Sequence, residues 1–144
     1  MPPYTHGDAQ DLLAAYKRAW ERRDPDLAVE LFSEDAEYRE DPFEEPLRGS
    51  NAIRAYWNEV AARQDHVEFD AERIWLVERT VLASWHAAYT RRLDSQRVRL
   101  RGFMTLELDE TGKVWRFREW WHRREVGTDA TLPGPTDPPP TGGA

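Results

Sequence analysis

The chain has 144 residues, 40% of them hydrophobic and 33% charged, a net charge of -7 and no cysteine. That length suits one domain with a sizeable core, and the lack of Cys removes disulfides, thiolate nucleophiles and thiolate-held metals. The acidic balance argues against nucleic acid as a partner. No apolar run approaches the roughly 18 residues of a membrane span, and Met1–Gly7 lacks the basic-then-apolar pattern of a secretory leader, so a cytoplasmic location is expected.

Residues 1–7 read as a flexible leader. Asp8 is a candidate helix cap, with Asp11 three residues on. Leu12, Tyr16 and Trp20 then recur at i, i+4 and i+8, which makes one apolar helical face. Asp24-Pro25 opens a second helix, since proline at the first helical position gives up an N–H that has no partner there. Leu27, Ala28, Leu31 and Phe32 supply its apolar side and Ser33-Glu34-Asp35 its end. Ala36–Asp41 is a short strand stopped by Pro42, and Phe43-Glu44-Glu45-Pro46 is a loop. Gly49-Ser50 opens a third helix with Ser50 as cap, and Ile53, Tyr56, Trp57 and Val60 keep helical spacing.

After Gln64 the period becomes two. Val67, Phe69, Ala71, Arg73, Trp75 and Val77 alternate with mostly polar neighbours. Three further runs, Val81–Leu93, Gln96–Leu108 and Lys113–Glu125, are separated by turn signals at Arg79-Thr80, Asp94-Ser95 and Asp109-Glu110-Thr111-Gly112. Long alternating strands joined by short turns predict an antiparallel meander. Residues 127–144 are Gly, Pro and Thr with almost no large apolar side chain, and read as a disordered tail whose Pro138-Pro139-Pro140 is a weak polyproline ligand motif. Helices first and strands after predict an α+β domain over residues 8–126.

The strand faces locate the chemistry. Val81, Ala83, Trp85, Ala87 and Tyr89 share one face of their strand, and Val98, Leu100, Gly102, Met104 and Leu106 one face of the next. In the last strand Trp115, Phe117, Glu119 and Trp121 alternate together. Burying these sets places Trp85, Leu100, Phe117 and Trp121 inside, and Glu119 with them. A carboxyl among aromatic rings must be protonated, paired or wet, and each state makes it a candidate acid or base. Its structural alternative is a carboxylate neutralised by an Arg or an indole N–H. The opposite face carries Arg99, Arg101, Arg116, Arg118, His86 and Trp120. It suits an anion, a second subunit or solvent. His6, His66, His86 and His122 show no metal-ligand spacing, and no Gly-rich phosphate loop or Ser-His-Asp set is present. No metal and no cofactor are expected.

Arg101-Gly102-Phe103-Met104-Thr105-Leu106, then Gly112-Lys113-Val114, then Arg118-Glu119-Trp120-Trp121, resembles the closing strand pair of SnoaL-like proteins of the nuclear-transport-factor-2-like superfamily. The resemblance runs over roughly residues 8–125. It implies a cone: three N-terminal helices packed on a highly curved, mainly antiparallel sheet around a pocket. It also implies a homodimer. The superfamily hosts cyclases, isomerases, hydrolases, dehydratases and non-catalytic binding proteins, so it leaves the reaction open. Glu119 matches the Asp of limonene-epoxide hydrolase, and Tyr38 and Glu40 match that enzyme's first-strand Tyr and Asn. The Arg and Asp which that enzyme also needs fall at Ala83 and Trp85 here, so its catalytic set is broken. A SnoaL-type cyclase needs a single acidic residue, and Glu119 could serve.

These readings make Glu119, Tyr38 and Glu40 the candidate catalytic residues. Trp57, Trp85, Leu100, Phe117 and Trp121 are the candidate ligand-lining residues, with Phe43 and Trp75 as closures of the mouth. The expected function is binding of an apolar small molecule with one polar head, with cofactor-independent isomerase, cyclase or hydratase chemistry at Glu119. The alternative is a non-catalytic dimeric binding or accessory module. An anionic ligand is disfavoured by Glu40 and Glu119 unless an Arg turns inward.

Overall fold

A computed structural model describes residues 3–128 of the chain. Three helices, α1 (His6–Glu21), α2 (Pro25–Glu30) and α3 (Gly49–Arg63), alternate with and precede six strands. The strands are β1 (Phe32–Arg39), β2 (Leu47–Arg48), β3 (Gln64–Val77), β4 (Thr80–Arg91), β5 (Gln96–Leu108) and β6 (Val114–Thr128). They form one sheet in the order β2-β1-β6-β5-β4-β3. The expected meander is there: β3 to β6 pair antiparallel in succession. β1 adds itself parallel to β6, with β2 antiparallel at its far edge. The protein is therefore α+β with helices laid on one curved, mixed sheet.

Local chemistry accounts for most boundaries, and some differ from expectation. Thr5, not Asp8, caps α1. Its hydroxyl accepts from the Asp8 N–H while Asp8 reaches back to the Thr5 N–H, a reciprocal capping box. The helix thus starts within the expected leader, and Tyr4 is fastened by its hydroxyl to the Asp109 carbonyl at 2.5 Å. Asp24 caps α2 with Pro25 behind it, as expected. Leu31 and Phe32 leave the helix: Leu31 is its C-cap, and Phe32 opens β1, buried and paired with Val114. At α3 the cap position is Arg48, which makes no side-chain capping bond, so Ser50 is not the cap. The expected loop Phe43–Pro46 carries no strand, and the short edge strand β2 follows it directly. β6 continues to Thr128, and the remainder of the expected tail, with its prolines, lies outside the described residues.

Bulges bend the sheet and reset its faces. Register shifts interrupt β3 near Asp65–Glu68 and Ala71–Arg73, and β5–β6 near Gln96–Val98 and Glu107–Leu108. The second shift in β3 reverses its alternation: Val67 and Phe69 are buried, but beyond it Ile74 and Leu76 turn inward while Arg73, Trp75 and Val77 are exposed. The shift near Leu108 does the same to Trp115. Leu108 pairs with Val114 and Glu107 with Arg116, so Trp115 is skipped and points outward, 39% exposed.

The core lies between the helices and the concave face. Tyr16 and Trp20 of α1 and Ile53 and Trp57 of α3 meet Phe69, Trp85, Met104, Leu106 and Phe117 of the sheet. Burying each large apolar side chain contributes about 1.5–3 kcal/mol, and the rings meet with specific geometry. Phe117 is stacked between Tyr38 at 4.5 Å and Tyr16 at 6.0 Å between centroids.

Candidate functional site

The concave face is built in cross-strand rows. Ala83, Met104 and Glu119 form one, Trp85, Gly102 and Trp121 the next, and Ala87, Leu100 and Arg123 a third. Gly102 has a steric reason to be glycine. A Cβ there would lie 2.6 Å from the Trp85 indole and 2.6 Å from the Trp120 carbonyl oxygen, so its absence lets the Trp85 ring lie across β5. Over this floor α1 and α3 roof a cavity of about 910 Å³. Tyr16, Trp20, Tyr56 and Trp57 enter from the helices, and Trp85, Leu100, Glu119 and Trp121 from the sheet.

Glu119 is 6% exposed and faces two carboxyl-sensitive neighbours. Burial, then the charge of Glu40 and a hydrogen bond with it, pushes the Glu119 carboxyl well above the usual carboxylate range; the Trp121 indole acts in the opposite direction. Among the described residues Glu119 forms no ion pair, and its Oε2 is sealed from solvent without a hydrogen-bond partner. Two carboxyl groups placed together in a poorly solvated site favour holding one proton between them. Tyr56 donates to Glu40 Oε2 at 2.5 Å. Tyr38, the residue two before Glu40 on β1, shares a hydrogen bond with Tyr16. Burial, first, and then the nearby acidic groups raise Tyr16, Tyr38 and Tyr56 well above the usual phenol value. All three therefore stay protonated across the working range and act as hydrogen-bond donors rather than bases.

The structure brings Glu119, Tyr38 and Glu40 together at one end of the cavity. It places Trp57, Trp85, Leu100 and Trp121 in the wall. Phe117 is not in the wall; it is wholly buried beneath it, behind Tyr16 and Tyr38. The expected mouth closures fail as well. Phe43 is 95% exposed on its loop, and Trp75 sits on the convex face against Phe103 because of the β3 bulge. Ala83 and Trp85 do point inward, both buried, where the epoxide hydrolase pattern would need Arg and Asp. Trp57 and Trp85 each have an indole N–H sealed from solvent with no acceptor among the described residues.

Sequence reasoning missed Tyr16 and Tyr56, which helical spacing marked only as apolar, and Tyr89, Arg91 and Arg123, which line the far end. The last two were discoverable by carrying the period-two alternation two residues further along β4 and β6. On the convex face several of the arginines have carboxylate neighbours within the chain. Arg101 pairs with Glu72, and Arg116 and Arg118 approach Glu107.

A cone of helices on a curved six-stranded sheet is the architecture of the nuclear-transport-factor-2-like class. The SnoaL-like domain model matches residues 13–117, and the chain belongs to that family. Among solved structures it is similar to SalBIII, an epoxide hydrolase/cyclase-like enzyme in pyran ring formation in the polyether salinomycin. The identity is 26% and the TM-score 0.69, over 80% of this chain and 91% of that one. An epoxide hydrolase of the limonene-epoxide-hydrolase-like type from M. tuberculosis aligns at 20% identity and TM-score 0.67, covering 80% and 83% of the two chains. A protein of ketosteroid isomerase-like fold from Catenulispora acidiphila aligns at 13% identity and TM-score 0.68, covering 75% and 82%. No curated protein matches the chain.

Proposed function

We propose that the chain binds an apolar small molecule with a carbonyl or similar oxygen and acts on it without a cofactor, using Glu119 as general acid and Glu40 as its paired base. The observation that carries this reading is a buried carboxyl at the cavity wall with a second carboxyl beside it and, among the described residues, no ion pair to neutralise it. A protonated Glu119 donates its proton to the substrate oxygen while the Glu40 carboxylate removes a proton from the adjacent carbon, giving an enol. Return of a proton to a different carbon completes an isomerisation; attack of the enol carbon on a second carbonyl of the same molecule completes a cyclisation. Tyr56, fixed as a donor to Glu40, orients that carboxyl, and Tyr38 lies beside the pair. The free indole N–H groups of Trp57 and Trp85 offer further donors beside an otherwise aromatic wall. SalBIII's association with ring formation supports the cyclising version.

The ring opening of 5-nitrobenzisoxazole tests this without knowledge of the natural substrate, since it needs a base, an apolar site and a stabiliser for the oxygen released. The expected result is catalysis above buffer background that Glu40→Gln lowers about 100-fold. Its decline on the alkaline side should fall above the usual carboxylate range and vanish in Glu119→Gln. Equal rates in wild type and both variants contradict the proposal and favour the non-catalytic binding module.

We also propose that the convex face pairs with a second copy of the chain. Trp75 and Trp120 are 37% and 42% exposed there; Phe103 pairs with Trp120 across the strands, and its ring centroid lies 6.1 Å from that of Trp75. Arg73 and Arg118 lie over the Trp75 and Trp120 rings, 5.2 and 5.8 Å from their centroids. Clustered aromatic and arginine side chains on an exposed sheet face are the composition of an interface centre.

A further inference from the structure

The cavity has a second chemical end. Arg123 follows Glu119 by four residues on the same face of β6, so the two lie about 13 Å apart at ~3.3 Å per residue. The Trp85–Gly102–Trp121 row lies between them. Other cations at that end are answered by carboxylates. Arg91 pairs with Asp94 and Glu125, both at 2.8 Å, and Arg92 lies 3.6 Å from Asp65. Arg123 makes no ion pair among the described residues, and its Nε is sealed from solvent with no acceptor. Its hydrogen-bond partner is the Tyr89 hydroxyl, itself mostly buried in the same wall, while the nearby Glu125 is taken up by Arg91. A guanidinium that lines a cavity and lacks its counter-charge is complementary to a planar carboxylate, which it can grip through two parallel N–H donors.

We propose that Arg123, with Tyr89 beside it, is the recognition site for a carboxylate on the substrate, so that the ligand is an apolar acid. The acid group is held at Arg123, the hydrocarbon lies across Trp85 and Trp121, and the reacting oxygen reaches Glu119 about 13 Å away by the strand spacing. This rests on the cavity being the ligand site, but not on Glu119 being catalytic. It also removes the objection that two acidic residues would repel an anionic ligand. The charges sit at opposite ends, so an acid entering head-outward keeps its carboxylate away from Glu40 and Glu119.

Decanoate and 1-decanol, matched in chain length and differing in the head group, test the assignment by quenching of tryptophan fluorescence at pH 7. The wild type should bind decanoate about tenfold more tightly than decanol, the worth of a charge-assisted hydrogen bond in a partly buried site. Arg123→Gln should erase that preference while leaving decanol binding unchanged, which also shows that the variant is folded. Arg123→Lys should keep part of it, and Glu119→Gln should not reduce it. No preference in the wild type, a preference that survives Arg123→Gln, or no binding of either probe overturns the proposal. A preference that holds while Glu119→Gln leaves 5-nitrobenzisoxazole opening untouched would keep the acid-binding site and discard the acid–base reading.

Discussion

At the scale of single residues, keeping Glu119 inside carries a cost. Its raised pKa means that the folded chain holds a proton which the unfolded chain has already released. Between the two pKa values the folded state binds more protons, so stability falls as pH rises. The contribution is neutral below the ordinary glutamate range and becomes progressively destabilising above it, at about 1.4 kcal/mol per pH unit within that window. A neutral isostere avoids this. Glu119→Gln is therefore expected to be more stable than wild type at pH 8 and close to it at pH 4. Urea unfolding at the two pH values measures the gap; a gap that is absent, or that widens toward acid, would mean that Glu119 is not the desolvated group described. A residue whose removal stabilises the fold is retained for something other than the fold.

At the scale of elements, the sequence revealed the strands and helices better than their faces. The order of helices and the meander followed from a change of period at Gln64 and from turn residues between long alternating runs. Glu119 was placed inward by alternation with Phe117 and Trp121, and its cavity neighbours Trp85 and Leu100 by the same rule. Alternation fails wherever a bulge adds a residue, because one extra residue moves every later side chain to the other face. That is why Trp75 and Trp115 were misplaced. Phe117 was placed on the right face but at the wrong depth. Period says which way a ring points, not whether Tyr16 and Tyr38 already cover it. Tyr16 and Tyr56 escaped notice for the converse reason: on a helix an aromatic hydroxyl looks like core until the facing strand is known to bring a carboxyl to it. Pairing of Glu40 with Glu119 joins residues 79 positions apart in sequence by way of the parallel β1–β6 contact. Only the family resemblance suggested it.

At the scale of the molecule, the two faces of one sheet divide the work. The concave face with its helical roof encloses the cavity, while the convex face displays aromatic rings flanked by arginines. If that convex face pairs two copies, light scattering on a sizing column should give twice the chain mass for wild type. Trp120→Glu, which puts an acid at its centre, should give the chain mass alone. Retention of the dimer by that variant would move the interface elsewhere. The cavity lies on the side of these strands opposite the convex face and is lined by residues of a single chain.

The most direct test of the central claim is the ionisation of Glu119 itself. With glutamate labelled at the side-chain carboxyl carbon, carbon NMR follows each carboxyl through a pH titration. One resonance is expected to have a midpoint well above the ordinary value of 4.5 and to be missing from Glu119→Gln. If every glutamate of the wild type titrates in the ordinary range, Glu119 carries no proton at neutral pH, and the acid–base reading of the cavity is wrong.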